Sequence, residues 1–182
     1  MKTSETKEEV TITKPAPDDI LGIRTVWHQT WLNTYPNEGL GITVEDIEDR
    51  FEDYFTPESL EEGREDLKNI PPHLVFLIAK QGNDIVGFCR VFSQDTKNQI
   101  QAIYVLPRVQ GKGIGTRLWE ETKKSLDLQK PTCVNLADYN EGAQAFYEKM
   151  GFRDTGKRWS NPKLTLASGV SIPEMEMVLG LG

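Results

Sequence analysis

The pattern of apolar and polar positions predicts a chain that mixes strands and helices. Positions 10–14 alternate with the period of two that is typical of a half-buried strand. Positions 20–34 place apolar residues three or four apart, which predicts an amphipathic helix. A second helix is expected to begin at Thr43, because Asp46 follows at the spacing of a capping box. A further short helix is predicted over positions 58–68, before two prolines.

The rest of the chain alternates between strands and helices. Two apolar runs, 74–79 and 85–92, are separated by a polar turn and predict a β-hairpin. The elements predicted after it are a strand over 100–106, a helix over 113–128, a strand over 132–138, a helix over 140–150 and two closing strands, one from 152 onward and one over 173–179. Apart from the short helix, the order is β-α-α-β-β-β-α-β-α-β-β, a mixed α/β (α+β) fold. No repeat or linker divides it, so one domain over 1–182 is expected, with residues 1–9 as a flexible N-terminus.

Composition and charge narrow the classes of function. The isoelectric point near 5.0 argues against non-specific binding to nucleic acid, and no apolar run approaches the 18 residues of a membrane helix. The N-terminus is polar and has no secretory signal, so a cytoplasmic protein with two buried, reduced cysteines is predicted. Residues 1–72 hold 17 acidic and 7 basic residues, whereas residues 73–182 hold 11 and 14. This asymmetry fits either solvated helix faces or a cationic ligand at the front of the chain.

A candidate phosphate site follows the strand predicted over 100–106. Gly111, Gly113 and Gly115 alternate there, immediately before a predicted helix. Glycines allow positive φ and close approach of a ligand, and a helix N-terminus presents unpaired N–H groups, which together favour an anion. The spacing fits neither the G-x-G-x-x-G dinucleotide loop nor the P-loop. Considered alone, the segment could also be a glycine-rich helix entry that binds nothing.

Two motifs in this part of the chain resemble those of GCN5-related N-acetyltransferases, the GNAT superfamily. The segment Gln-Gly-Lys-Gly-Ile-Gly over 110–115 is similar to the family's [RQ]-x-x-G-x-[GA] motif. The segment over 140–152 resembles its second signature, N-x-x-A-x-x-[FL]-Y-x-x-x-G-F. Both lie in the expected order, and the resemblance extends over residues 74–155, whereas residues 10–72 agree only in the order of elements.

The resemblance implies a fold and a cofactor. The expected fold is a twisted, mostly antiparallel sheet of six or seven strands flanked by helices, in which two central strands splay apart to admit acetyl-CoA. The diphosphate of coenzyme A would rest on the glycine loop, and its pantetheine would pair with the main chain of the preceding strand. The implied cofactor-binding residues are Ile103, Tyr104, Val105, Gln110, Gly111, Lys112, Gly113, Ile114, Gly115, Thr116, Asn140, Ala143 and Tyr147.

The chemistry of amine acylation assigns roles to a few of these residues. Asn140, Ala143 and Tyr147 share one face of a helix, where a small residue between polar ones leaves a groove. Asn140 is expected either to cap that helix or to contact the cofactor. Tyr147 is the hypothesised acid at the thioester sulfur, and the Val105 N–H the hypothesised oxyanion donor.

The general base and the acceptor site are less well defined by the sequence. Many relatives carry a Glu on the strand before the glycine loop, but here positions 98–102 hold no carboxylate. Asp138, Glu38 or a water relayed through Tyr35 remain as alternatives for the base. The hypothesised substrate-binding residues are Trp31, Tyr35, Glu38 and Asp138, because aromatic rings and carboxylates suit an ammonium group.

The sequence therefore predicts an acetyl-CoA-dependent N-acetyltransferase that acts directly on a primary amine. The Trp-x-x-Thr-Tyr pattern over 31–35 resembles that of some members that acetylate polyamines or other small amines. A peptide or protein N-terminus is the alternative acceptor, and a noncatalytic acyl-CoA sensor is the alternative from another class. No metal, nucleic-acid or membrane partner is expected, and the oligomeric state stays open between a monomer and a homodimer.

Overall fold

The structure, a computed structural model, describes residues 9–180, so most of the predicted flexible N-terminus lies outside the described residues. The strands are β1 (Val10–Thr13), β2 (Leu74–Gln81), β3 (Asp84–Ser93), β4 (Asn98–Val105), β5 (Thr132–Ala137), β6 (Arg153–Thr165) and β7 (Ser171–Leu179). The helices are α1 (Ile20–Thr34), α2 (Val44–Arg50), α3 (Pro57–Lys68), α4 (Ile114–Lys123) and α5 (Glu141–Lys149).

The seven strands form one open sheet in the order β1-β2-β3-β4-β5-β7-β6, and every neighbouring pair is antiparallel except β4 and β5. These two parallel strands pair only where they begin, from Asn98 opposite Thr132 to Ile100 opposite Val134. Beyond Ile100 they diverge and leave a gap in the middle of the sheet. The predicted mostly antiparallel sheet with splayed central strands is therefore confirmed.

Two apolar clusters hold the helices to the sheet. The larger one packs α1 and α4 against β2 to β5, and Phe88, Leu118 and Trp119 are buried in it. The smaller one joins α1 and α2 to the end of the sheet around Ile172. Burying one such side chain contributes about 1.5–3 kcal/mol, so the two clusters fix the walls of the gap between β4 and β5. Cys89 in β3 is a buried free thiol, as is Cys133 in β5.

Two details of the predicted order were wrong. The helix predicted over 113–128 ends at Lys123; beyond it Leu126 still packs against the larger cluster, whereas Leu128 is 55% exposed. The short helix before the hairpin is a full helix, α3, which the predicted order omits and which Thr56 caps by accepting a hydrogen bond from the Ser59 N–H. Within residues 9–180, none of the helices is long and apolar enough to cross a membrane.

Candidate active site

The gap between β4 and β5 opens into a cavity of about 580 Å³, called here the central cavity. Its walls are the free edges of the two strands, the N-terminus of α4, one face of α5 and the C-terminal end of α1. The cavity brings together most of the residues that the sequence implied for the cofactor. They are Ile103, Tyr104, Val105, Gln110, Gly111, Gly113, Ile114, Gly115, Thr116, Asn140, Ala143 and Tyr147.

The glycine loop forms the end of the central cavity at α4. Gly111 and Gly113 have φ values of 74° and 79°, in the left-handed region that side chains disfavour, and a Cβ built on either would meet nothing within 4 Å. In the described part of the chain, the main-chain N–H groups of 111–116 find no main-chain acceptor. These donors and the positive end of the α4 dipole therefore face open space, as an anion site requires. The predicted Lys112 is exposed and does not line the cavity.

The strand β4 offers its free edge to the cavity at alternate residues. The Leu106 N–H donates to the Val86 carbonyl at 2.9 Å, which fixes the hydrogen-bonding phase of the β3–β4 ladder. In an antiparallel ladder the phase alternates, so the main chains of Ile103 and Val105 point toward the gap, whereas that of Tyr104 pairs with β3. The Val105 carbonyl accepts a hydrogen bond from Gln110 Nε2 at 2.9 Å. Tyr104 therefore contributes its side chain to the cavity, and its predicted main-chain contact goes to β3 instead.

The face of α5 that lines the cavity carries Asn140, Ala143 and Tyr147, as predicted. Asn140 Oδ1 accepts a hydrogen bond from the Ala143 N–H at 3.0 Å, so Asn140 caps the helix, the first of its two predicted roles. Phe146 lines the cavity as well and lies beneath Gly115, where a Cβ would come within 3.1 Å of its ring.

The hydroxyl of Tyr147 is available for chemistry. The residue is only 5% exposed, its ring packs between those of Phe146 and Phe152, and its hydroxyl forms no hydrogen bond with any residue in the described part of the chain. Burial raises the pKa of Tyr147 well above its usual value near 10, and the neighbouring Cys89 and Tyr104 raise it further. The phenol is therefore a proton donor throughout the physiological pH range.

A cluster of aromatic side chains lies at the α1 end of the central cavity. Trp31 Nε1 donates to Tyr104 Oη at 3.2 Å, and the rings of Trp31 and Tyr35 lie 4.3 Å apart. Tyr104 also contributes to the raised pKa of Tyr35, after burial as the main cause, so the two tyrosines lie close together. The Tyr139 hydroxyl donates to the Tyr35 carbonyl at 2.8 Å, which ties the end of β5 to the end of α1. Of the two residues predicted on α1 and just after it, Tyr35 lines the cavity and Trp31 supports it from behind.

The carboxylate beside this cluster is one that the sequence analysis missed. Glu174 in β7 is 7% exposed, and its Oε2 accepts a hydrogen bond from Asn161 Nδ2 at 2.9 Å. Its negative charge contributes to the raised pKa values of Tyr35 and Tyr104, after burial as the main cause, so it lies in their neighbourhood, although it does not itself line the cavity. The predicted carboxylates Glu38 and Asp138 are both exposed and do not line the cavity.

The only signal for Glu174 in the sequence was its place in the closing strand. Ile172, Glu174 and Glu176 alternate with apolar residues, which puts two acidic side chains on one face of the strand. That pattern does not tell which of the two is buried. Glu176 pairs with Lys157 at 2.8 Å near the surface, whereas Glu174 is the buried one of the two.

The structure combines an open sheet, two central strands that separate, a glycine loop and the N-terminus of a helix. Together these features define a class, the acetyltransferase fold, in which main-chain amides form an anion cradle. A family model described as Acetyltransferase (GNAT) family matches residues 44–152, more than half of the chain. The chain therefore belongs to the GNAT family, as its two motifs implied.

Individual relatives agree with this assignment. The peptidyl-lysine N-acetyltransferase YjaB of Salmonella typhimurium is 31% identical over 88 residues, which cover 48% of this chain and 56% of that protein. The mycothiol acetyltransferase of Streptomyces griseus is 28% identical over 123 residues, covering 65% of this chain and 34% of that protein. This chain thus matches only part of the length of these curated relatives. The PaiA N-acetyltransferase of Thermoplasma acidophilum, solved with coenzyme A, superposes with a TM-score of 0.68 over 92% of this chain and 98% of its own at 21% identity.

Proposed function

We propose that the chain is a single acetyltransferase domain that moves the acetyl group of acetyl-CoA directly to a primary amine. The observation that carries this proposal is the central cavity, which joins a cradle of unpaired amides at one end to Tyr147 and an acidic aromatic cluster at the other. A noncatalytic sensor would need only the cradle. Tyr147 lines the cavity, and its hydroxyl forms no hydrogen bond in the described part of the chain, which favours catalysis.

The residues at the cradle fit coenzyme A. Amides of residues 111–116 would hold its diphosphate, since donors at a helix N-terminus favour such an anion. The free main-chain groups of Ile103 would pair with the amides of pantetheine in the manner of an added strand, which leaves the Val105 N–H for the acetyl carbonyl. The small side chain of Ala143 leaves room for that chain beside α5.

The reacting groups then meet near Val105 and Tyr147. The Val105 N–H points into the gap and would stabilise the oxyanion that forms when the amine attacks the thioester, a contact that typically supplies about 10²–10³ in rate. The Tyr147 hydroxyl would donate a hydrogen bond to the departing sulfur. Because a thiol has a pKa near 8.5, the phenol stabilises the thiolate and the sulfur takes its proton in the end from the amine or water.

The acceptor is best described as a small aliphatic amine. Glu174 supplies a negative charge behind the aromatic cluster. The rings of Tyr35 and Tyr104, supported by Trp31, line this end of the cavity. Aromatic faces and a desolvated carboxylate bind an ammonium group well and a neutral or anionic group badly. We infer that Glu174 takes the place assigned to Asp138 or Glu38, and that water relayed through the Tyr35 hydroxyl removes the amine proton.

A peptide amine is the second candidate, supported by the similarity to a relative named as a peptidyl-lysine acetyltransferase. The two candidates differ in what must follow the amine into the site. A lysine side chain or a peptide N-terminus carries a main chain that must lie outside the aromatic cluster, whereas a polyamine can place a second ammonium at Glu174.

A thiol-release assay tests the proposal. Purified protein with acetyl-CoA is offered spermidine, short diamines, an aminoglycoside, a lysine-containing peptide and a peptide with a free N-terminus. We expect release of coenzyme A with the small amines and a much lower kcat/KM with the peptides. Binding of acetyl-CoA without thiol release across the whole panel would contradict catalysis and favour the sensor.

A further inference from the structure

A second cavity, of about 270 Å³, lies on the other side of α1 and is separate from the site described above. We call it the side cavity; it is enclosed by α1, α3 and the strands β2 and β3. Most of its wall is apolar or aromatic, with Trp27, Leu67, Leu74 and Phe76 among the lining residues. One cationic side chain in this wall, Arg90, forms no hydrogen bond or ion pair with any residue among 9–180.

Arg90 extends from β3 into the side cavity between two rings. Its guanidinium lies 5.6 Å from the centre of the Trp27 ring and 5.0 Å from that of Phe76. Its Nε is fully buried without a hydrogen bond, and within residues 9–180 the guanidinium forms neither a hydrogen bond nor an ion pair. Burial lowers the pKa of Arg90, which agrees with a charge that lacks a close counter-ion. Tyr54 and Asp66 oppose this effect of burial without contacting the guanidinium through a hydrogen bond or an ion pair in the described residues. Arg90 is partly exposed, so its terminal nitrogens are accessible to an anion that enters the side cavity.

The neighbouring arginine of the same cavity shows what a purely structural arginine looks like here. Arg24 donates to the Tyr54 carbonyl and, at 2.7 Å each, to the hydroxyl and the carbonyl of Ser59, which anchors α1 to α3. Arg90 has no such acceptors. Asp66 also lines the cavity, but it is exposed and lies more than 4 Å from Arg90.

We propose that the side cavity is a binding site for a small monocarboxylate with an apolar tail. The planar carboxylate would bind the two-pronged guanidinium of Arg90 by paired charge-assisted hydrogen bonds. The apolar tail would displace water from the surfaces of Leu67, Leu74 and Phe76. A polar tail would lose its own hydration there. An inorganic phosphate or sulfate fits this wall less well, because only one unmatched cation faces it and the remaining surface is largely apolar.

The side cavity is connected to the central cavity through one ring. Trp27 forms part of the side cavity, and its indole meets the Tyr104 ring edge-on at 5.9 Å. Tyr104 in turn lines the central cavity together with Tyr35. A ligand that moves Trp27 is therefore expected to shift the KM of the acceptor amine, and this coupling is a secondary readout of the same site.

Binding is tested by titrating the full chain with hexanoate, and with hexan-1-ol and hexylammonium as neutral and cationic matches. Calorimetry and amide NMR shifts are read with coenzyme A present, so that the central cavity is occupied. We expect saturable binding of hexanoate, about tenfold or more tighter than hexanol, the ratio that a charge-assisted hydrogen bond provides. The shifts should centre on Trp27, Leu67 and Leu74 and leave residues 111–116 unchanged.

Two variants decide whether Arg90 is the anchor. Arg90→Met keeps the length of the side chain and should abolish the preference for hexanoate, whereas Arg64→Met, at an exposed arginine of α3 paired with Glu61, should keep it. Arg90→Lys, which retains the charge, should bind more weakly than the parent and serves if the Met variant unfolds. No saturable binding to the parent, equal binding of hexanol, or unchanged binding to either Arg90 variant would overturn the proposal. None of these results depends on acetyl transfer.

Discussion

The two ends of the central cavity are built in different ways. The cradle end uses two short, continuous segments, 104–116 and 140–147, and most of its contacts with a ligand would come from main-chain amides. The acceptor end draws on residues that are far apart in the chain, from Tyr35 after α1 to Glu174 in β7. A local pattern of glycines therefore suffices to recognise the first end, whereas the second exists only when the sheet is assembled.

This difference explains how the family could keep one reaction and vary its acceptors. Main-chain donors at a helix N-terminus do not depend on which side chains surround them. Side chains such as Tyr35, Tyr104 and Glu174 can each change without disturbing the cradle. We therefore expect substitutions at the cradle end to change the affinity for coenzyme A and substitutions at the acceptor end to change the KM of the amine. Neither kind of substitution is expected to change the constant of the other end.

The largest effect should come from the group that lies between the two ends. Tyr147→Phe removes the hydroxyl from the departing sulfur, and kcat should fall about 10²-fold or more while the KM values of both substrates stay near their parent values. Steady-state kinetics with a saturating amine measure this. Tyr54→Phe, a partly buried tyrosine outside the central cavity, is the control.

The pH dependence tests the same residue. Since the pKa of Tyr147 is raised well above its usual value near 10, its proton is present at all lower pH values. The parent rate should therefore not decline between pH 7 and 10 through loss of this proton. A parent profile that falls in this range while the Phe variant stays flat would show that Tyr147 titrates earlier and would weaken its assignment.

The next effect should be confined to the acceptor end. Glu174→Gln removes the charge near Tyr35 and Tyr104, and the KM of the amine should rise about 10- to 100-fold, with the KM of acetyl-CoA unchanged. Glu176→Gln, two residues along the same strand and paired with Lys157 near the surface, is the matched control. Equal effects of the two substitutions on the amine would refute the assignment of Glu174.

A complementary change should affect only the cradle end. Gly113→Ala puts a methyl group on a residue with φ of 79° in the cradle, and the Kd of coenzyme A should rise about tenfold. Gly156→Ala is matched, because Gly156 has the same φ and equally open space but lies in β6 outside the cavity. Both variants should lose about 1–2 kcal/mol of stability from the strained backbone, measured by urea unfolding. Equal loss of coenzyme A affinity in both would show that the cradle is not at Gly113.

The smallest expected effect concerns the scaffold of the acceptor end. Asp46 caps α2 and also accepts a hydrogen bond from the Ser168 N–H in the β6–β7 turn, at 3.1 Å. The hydrogen bonds from Ser168 and Thr43 lower the pKa of Asp46 from 3.8 to about 2. Its contribution to stability is therefore complete above pH 3.8 and is lost as the pH falls toward 2. Asp46→Asn should lower the Tm at neutral pH and should make the Tm fall less steeply between pH 3.8 and about 2. Glu45→Gln, at the exposed neighbouring residue, should change neither.

The sequence predicted the fold well because its elements carry local signals. The capping box at Thr43, the hairpin turn before β3 and the prolines after α3 each act over a few residues, and the structure shows all of them. The helix after the glycine loop was extended too far, since Leu126 continues the apolar spacing and packs against the core although the helix has already ended at Lys123. Periodicity reports which face is apolar and does not report where the helix ends.

The parts of the candidate site that come from short continuous segments were predicted from the sequence, whereas the parts that join distant segments were not. The glycine loop, the cap at Asn140 and the placement of Tyr147 follow from spacing along one strand or helix. The sequence predicted Asp138 and Glu38 as the carboxylates of the acceptor site because each is close in sequence to a motif or an aromatic residue. Glu174 lies near no motif, and only the pairing of β7 with β5 brings it to Tyr35.

The sequence by itself determined most of the order of the elements, because the spacing of neighbouring residues fixes local backbone conformation. Its two motifs implied the GNAT family, which the family model shows, and predicted the place of the proposed anion cradle. Only the tertiary structure decided which carboxylate is buried at the acceptor end and that Arg90 faces a cavity of its own without a partner in the described chain. Burial and charge pairing depend on segments that the chain brings together from distant positions, and no local pattern encodes which of them will meet.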